Sequence, residues 1–204
     1  MGSEMCIRDR GISADPHQYD LPVHFKGQLI ETSFDMAHST ELLTPMGEKN
    51  GYQHLWKRSA SEALDGLQEA SWLLSDQFYT MSFKADLDPT AYFVELGAND
   101  PNHNLRHEQG LILRAEGNSV TYVSVYERHG RYDSDEEVTV FDGSSINDIN
   151  IDTQNGITEV TVETDAGDGI SFRLAQSALT RAPLQVARIS SETTKQIHPT
   201  EGGK

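Results

Sequence analysis

From Asp20 onward the chain alternates apolar and polar positions in short runs rich in β-branched and aromatic residues, and Gly, Asn and Asp separate the runs at fairly regular intervals. That period-two pattern is the mark of half-buried strands. It predicts strands over Leu21–Phe25, Gln28–Phe34, Tyr52–Lys57, Gln68–Leu74, Phe78–Lys84, Ala91–Leu96, Leu111–Ala115 and Val120–Glu127, then over Glu137–Phe141, Ile146–Ile151, Ile157–Thr164 and Gly169–Leu174. Gln154-Asn155-Gly156 and Ala166-Gly167-Asp168-Gly169 carry the residues that hairpin loops require. About twelve strands joined in this way predict an all-β chain, an antiparallel β-sandwich with little helix. The best helical stretch, Ala60–Asp65, is short and is followed by Gly66. No repeat of roughly 20–50 residues recurs, which argues against a propeller or a β-helix.

The two ends break the pattern. Met1–Arg10 has neither a coherent face nor the long apolar stretch of a signal peptide, and reads as a non-native leader such as a translated adapter. The sandwich domain is expected over residues 11–188. After Ala182-Pro183 the chain turns polar, and residues 189–204 are expected as a flexible polar tail.

Composition narrows the function. The 204 residues are 36% hydrophobic and 24% charged, a folded composition with enough chain for a substantial core. Sixteen Lys and Arg against 32 Asp and Glu leave a net charge of −16, a field that repels polyanions and argues against nucleic acid as a partner. Apolar runs such as Trp72-Leu73-Leu74 are far too short for a membrane-spanning helix. The single cysteine, Cys6, excludes an internal disulfide and any cysteine-based metal site.

Four segments hold more His and polar aromatics than turns need: Asp15-Pro-His-Gln-Tyr-Asp-Leu-Pro-Val-His24, Gly51-Tyr-Gln-His-Leu-Trp56, Glu95-Leu-Gly-Ala-Asn-Asp-Pro-Asn-His-Asn-Leu-Arg-His-Glu108 and Val123-Ser-Val-Tyr-Glu-Arg-His-Gly-Arg-Tyr132. In this order, and over roughly Gly11 to Ala175, they resemble the C-terminal part of alginate lyases of polysaccharide lyase family 17, in the heparinase II/III-like group. The resemblance implies a periplasmic or extracellular parent enzyme, with an N-terminal α/α-toroid and a first β region, that cuts alginate by β-elimination. This chain would be its C-terminal β-sandwich. An Asn-His pair and a catalytic Tyr are implied in the toroid, and a second Tyr with His/Asp/His ligands of a structural metal, zinc, in the first β region. No residue here matches those motifs, so the resemblance places no catalytic residue and no cofactor in this chain and implies no turnover by it alone. The partners implied are alginate or another uronate oligosaccharide, the toroid and first β region, and a second copy in a full-length homodimer. The alternative is a free-standing carbohydrate-binding module.

Read as residues, the segments offer several contacts. On a strand, Tyr52, His54 and Trp56 share one face and could stack on sugar rings, although sheet covering or packing against a neighbouring domain is the favoured reading. His17 and His24 flank Asp20, but their spacing suits no zinc site, and hydrogen bonding at a strand start, stiffened by Pro16 and Pro22, is favoured. Asn99–Asn104 reads as a rigid loop clamped by Arg106 and Glu108, with Arg106 as the alternative bidentate contact for a uronate carboxylate. Arg128 and His129, within Glu127–Tyr132, form the most basic local cluster and a second candidate carboxylate contact. The acidic turns over residues 133–137 and 163–169 read as solvated, since neither has a calcium-loop spacing.

Overall fold

The computed structural model of the chain describes residues 5–38, 44–96, 108–140, 143–175, 185–189 and 195–197. These form β1 (Met5–His24), β2 (Gln28–Thr32), β3 (Ala37–His38), β4 (Thr44–Pro45), β5 (Leu55–Ala63), β6 (Gln68–Leu74), β7 (Gln77–Ala85), β8 (Thr90–Leu96), β9 (Glu108–Asp133), β10 (Val138–Val140), β11 (Ile146–Gln154), β12 (Ile157–Thr164), β13 (Gly169–Ala175), β14 (Gln185–Ile189) and β15 (Lys195–Ile197). One 3-10 turn, Tyr52–His54, is the only helical element among the described residues, and no helix is long and apolar enough to cross a membrane. The predicted all-β class is what the chain adopts.

Two compact units divide the chain at residues 142 and 143, within the stretch expected to be one domain. The first holds a ten-stranded antiparallel sheet built from a few long arms. β6 pairs with β7 across Ser75-Asp76, and β5 pairs with β8, so residues 55–74 and 77–96 are the two arms of one hairpin. Both arms break midway, at residues 64–67 and 86–89. β9 runs beside β8 along its first part and beside β7 along its second, while β1 follows its other edge with an irregularity between Ile12 and His17. The breaks lie side by side, and there the sheet folds over on itself.

One layer contributes Val23, Ala91, Leu111 and Leu113 to the core, and the other Ala70, Trp72, Met81, Phe83 and Tyr122. Each set alternates along its strand with positions on the other face, several of which are buried too: Val94 and Ile112 in the first layer, and Ser71, Thr80, Ser82, Val123 and Val125 in the second. Two glycines lie at close approaches. At Gly117 a Cβ would stand 2.7 Å from Leu87 Cδ1, the end of a flexible side chain that would have to shift to admit it. Gly27, where the chain crosses from β1 to β2, has φ 97° and leaves no room for a Cβ against the Leu73 carbonyl.

The second unit is a five-stranded meander, β11 to β15 in sequence order. Asn155 and Gly156, at φ 50° and 76°, make the tight β11–β12 turn that the sequence predicts. Ile149 and Val160 are fully buried on one face of it.

Two expectations about single elements are corrected. Leu111–Ala115 and Val120–Glu127 are parts of one strand, because Glu116–Ser119 stays extended through the fold line instead of turning back. Ala60–Asp65 is no helix: residues 60–63 finish β5, where Ala60 and Ala63 pair with Tyr92 and Thr90, and the Ser61 hydroxyl accepts the Ala91 N–H at 2.9 Å. The first ten residues, expected as a leader, supply the opening six residues of β1, Met5 to Arg10. Within 189–204, expected as a tail, Lys195–Ile197 pairs with β14.

Candidate functional site

The face of the first layer that points away from the core carries a cluster of charge and aromatic rings. Register sets Asp20 of β1 beside Arg114 of β9, and Arg114 beside Thr90 of β8; the next outward row is Pro22, Ile112 and Tyr92. Arg114 donates from Nε to Asp20 Oδ1 and from Nη2 to Oδ2, both at 2.8 Å. This fork-to-fork geometry is the strong form of the guanidinium–carboxylate pair. The Tyr52 hydroxyl donates to the same Oδ2 at 2.6 Å. The Arg114 guanidinium carbon lies 5.2 Å from the Tyr92 ring centroid and 5.8 Å from that of Tyr52, and Lys57 Nζ lies 5.9 Å from the Tyr92 centroid. The ion pair is largely shielded, with side-chain exposures of 17% for Arg114 and 6% for Asp20.

Tyr52 reaches this face because the chain turns before β5. Asn50 and Gly51 both have positive φ, and the 3-10 turn follows directly. The Met46 N–H donates to the Leu55 carbonyl at 2.8 Å and closes the loop, while a Cβ at Gly47 would stand 3.1 Å from Tyr52 Cβ. Val94 and Ile112 sit on this outward face and are nevertheless 0% and 2% exposed, beside Tyr92 and Arg114.

The electrostatics follow the geometry. The hydrogen bond to Asp20 raises Arg114 above its ordinary value against the opposing effect of burial. Burial, then the bond to Asp20, raises the Tyr52 phenol, and burial raises Tyr126. A raised folded-state value means that these tyrosines add stability in full below the unfolded value of about 10, and that this part is lost as pH climbs through the folded values. Ultraviolet titration of the seven tyrosines is therefore expected to show a late-ionising class that Tyr52→Phe and Tyr126→Phe each diminish. A single transition at the ordinary value would contradict it.

The residues singled out from the sequence are dispersed. Tyr52 joins the cluster, but Tyr52, His54 and Trp56 form no common stripe, because Tyr52–His54 is a helical turn and β5 starts only at Leu55. His54 is exposed, and Trp56 pairs with Glu95, its indole N–H without a partner among the described residues. Glu95 holds the neighbouring Arg58 in an ion pair. Arg128 is exposed and donates to Gln77 Oε1 at 2.8 Å, whereas His129, on the opposite face of β9, has Nε2 2.7 Å from Thr80 Oγ1. Thr80 Oγ1 is in turn 2.7 Å from Ser71 Oγ. Gly130, at φ 64°, is the bulge residue of β9, which continues to Asp133. Arg106 and the Asn99–Asn104 loop lie outside the described residues. His17 and His24 are exposed while Asp20 is committed to Arg114 and Tyr52, and among the described residues no three His, Cys, Asp or Glu converge to hold a metal ion.

In the second unit, Glu159 accepts from Arg173 at 3.0 Å and from the Ser171 hydroxyl at 3.2 Å. The Arg173 bond holds the Glu159 carboxyl below its ordinary value. At the β9–β10 turn the Asp133 carboxylate accepts the backbone N–H groups of Asp135 and Glu136.

Arg114, Lys57 and Tyr92 escaped the sequence reading. The available signal was Arg114 itself, a charge inside the apolar run Leu111–Ala115 that demands a buried partner.

No family model matches the chain. It is 37% identical over 172 residues to a protein named exo-oligoalginate lyase from Saccharophagus degradans, a match taking in 82% of this chain and 23% of that protein. It is also 37% identical over 186 residues to one named alginate lyase from Stenotrophomonas maltophilia, taking in 91% of this chain and 24% of that protein. The chain spans about a quarter of the length of the curated relatives it matches. The β-sandwich chain that carries the Asp20–Arg114 face is thus related in sequence to one portion of alginate lyases.

Proposed function

We propose that the chain is the C-terminal β-sandwich portion of a periplasmic or extracellular alginate lyase of polysaccharide lyase family 17, in the heparinase II/III-like group. The observation that carries this reading is the similarity of nearly the whole chain to a quarter of two alginate lyases. Eliminative cleavage of a uronate polymer needs a group that neutralises the sugar carboxylate, a base for the C5 proton and an acid for the departing glycosidic oxygen. In this reading the toroid and the first β region supply those groups and hold the structural metal. The sandwich described here braces them and does not turn over substrate alone.

The test uses the Saccharophagus degradans relative with its matching quarter removed. Unsaturated uronate formed from oligoalginate is followed by its ultraviolet absorbance. The truncated relative is expected to lose most of its activity, the present chain alone to show none, and fusion of the two to restore it. Full activity in the truncated relative, or elimination by the isolated chain, would refute the assignment.

A further inference from the structure

The outward cluster has more than a bracing geometry. Asp20 and Tyr52 hold Arg114 in place, but Lys57 has no carboxylate partner among the described residues, although the chain carries twice as many acidic as basic side chains. Its ammonium is held instead over Tyr92, the ring that Arg114 also approaches. Tyr52 and Tyr92 are each half-buried, so each shows part of its ring and keeps part fixed. A cation without a carboxylate partner among the described residues, a second cation fixed by a buried carboxylate, and two half-buried rings are the parts of a site for an anion attached to a flat apolar body.

We propose that Lys57, Tyr92, Arg114 and Tyr52 form a binding subsite for one carboxylated sugar ring, a single uronate residue of an oligosaccharide. Lys57 pairs with the carboxylate, the tyrosines meet the C–H face of the pyranose, and the guanidinium edge turned away from Asp20 meets ring hydroxyls. Charge sets the ligand class. With Asp20 cancelling Arg114, the cluster carries one net positive charge, enough for a polymer with one carboxylate per sugar and too little to hold a densely charged polyphosphate within a chain of net charge −16. The identity of the sugar rests on the alginate lyase reading; the chemistry of the subsite does not.

The experiment titrates the full chain with trimannuronate and triguluronate, and with a neutral glucose trimer, by calorimetry and by amide chemical shifts. Saturable uronate binding that added salt weakens, that Lys57→Met reduces by about tenfold, and that the neutral trimer does not share is the expected result. Lys57→Met keeps the aliphatic stem, and an unchanged unfolding midpoint confirms that it folds. Absence of uronate binding, equal binding by Lys57→Met, or equal binding of the neutral trimer overturns the subsite. Binding without restored elimination in the fusion above would refute the lyase reading and leave the subsite standing; restored elimination without binding would do the reverse.

Discussion

Asp20→Ala is expected to lower the unfolding free energy by about 3–5 kcal/mol, an effect far outside the range of surface ion pairs. Removing the carboxylate leaves the Arg114 guanidinium, 17% exposed, with neither of its 2.8 Å hydrogen bonds, and takes the acceptor from the Tyr52 hydroxyl. An uncompensated buried charge costs more than the intact pair contributes, so the double variant Asp20→Ala/Arg114→Leu should recover much of the loss. Urea unfolding measures both. A loss below about 1 kcal/mol for the single variant would mean that water reaches the pair freely.

Phe83→Ala should destabilise the first unit by a similar amount, about 3–5 kcal/mol, through a different cause. The ring is 2% exposed and meets Phe34 edge to face at a centroid distance of 5.9 Å and an angle of 82°. Phe34 follows β2, so the loss would open a cavity between the second layer and the segment that closes over it. Val138, 47% exposed on β10, is the control, and its truncation should change stability by no more than about 0.5 kcal/mol. Comparable losses at the two positions would deny that the core lies where Phe83 sits.

What the sequence revealed depended on how local the cause was. Gln68–Leu74 and Ile157–Thr164 are strands with the predicted limits: alternation in the second matches its burial, while the first is buried at three consecutive positions, Ala70 to Trp72, and is delimited by the breaks at residues 64–67 and at Ser75-Asp76. β9 reads in the sequence as two strands, because Gly117 and Asn118 are turn residues, yet both stay extended where β9 passes Leu87. The sequence places the start of β1 at Leu21, because the alternation becomes regular only from Asp20. The strand pairs with β9 alone, at the edge of the sheet, where Pro22 is tolerated, and Pro16 falls inside the irregularity between Ile12 and His17. Ala60–Asp65 has helical propensity that pairing with β8 overrides. At the site, Tyr52 was legible as a polar aromatic, but its partners were not. Asp20 and Arg114 are 94 positions apart, and neither neighbourhood names the other.

The pairing of β1 with β9 also bears on how the chain acquires its structure. Met5 lies opposite Tyr126 and His24 opposite Gly110, so every rung of this ladder joins residues roughly a hundred positions apart. During synthesis β1 leaves the ribosome first and cannot be matched until β9 has followed, whereas the hairpin of residues 55–96 can zip from its own turn. The high contact order places closure of this edge late and makes it slow. Until then β9 exposes a long row of unpaired backbone groups, and that interval is when the nascent sheet is open to pairing with another chain.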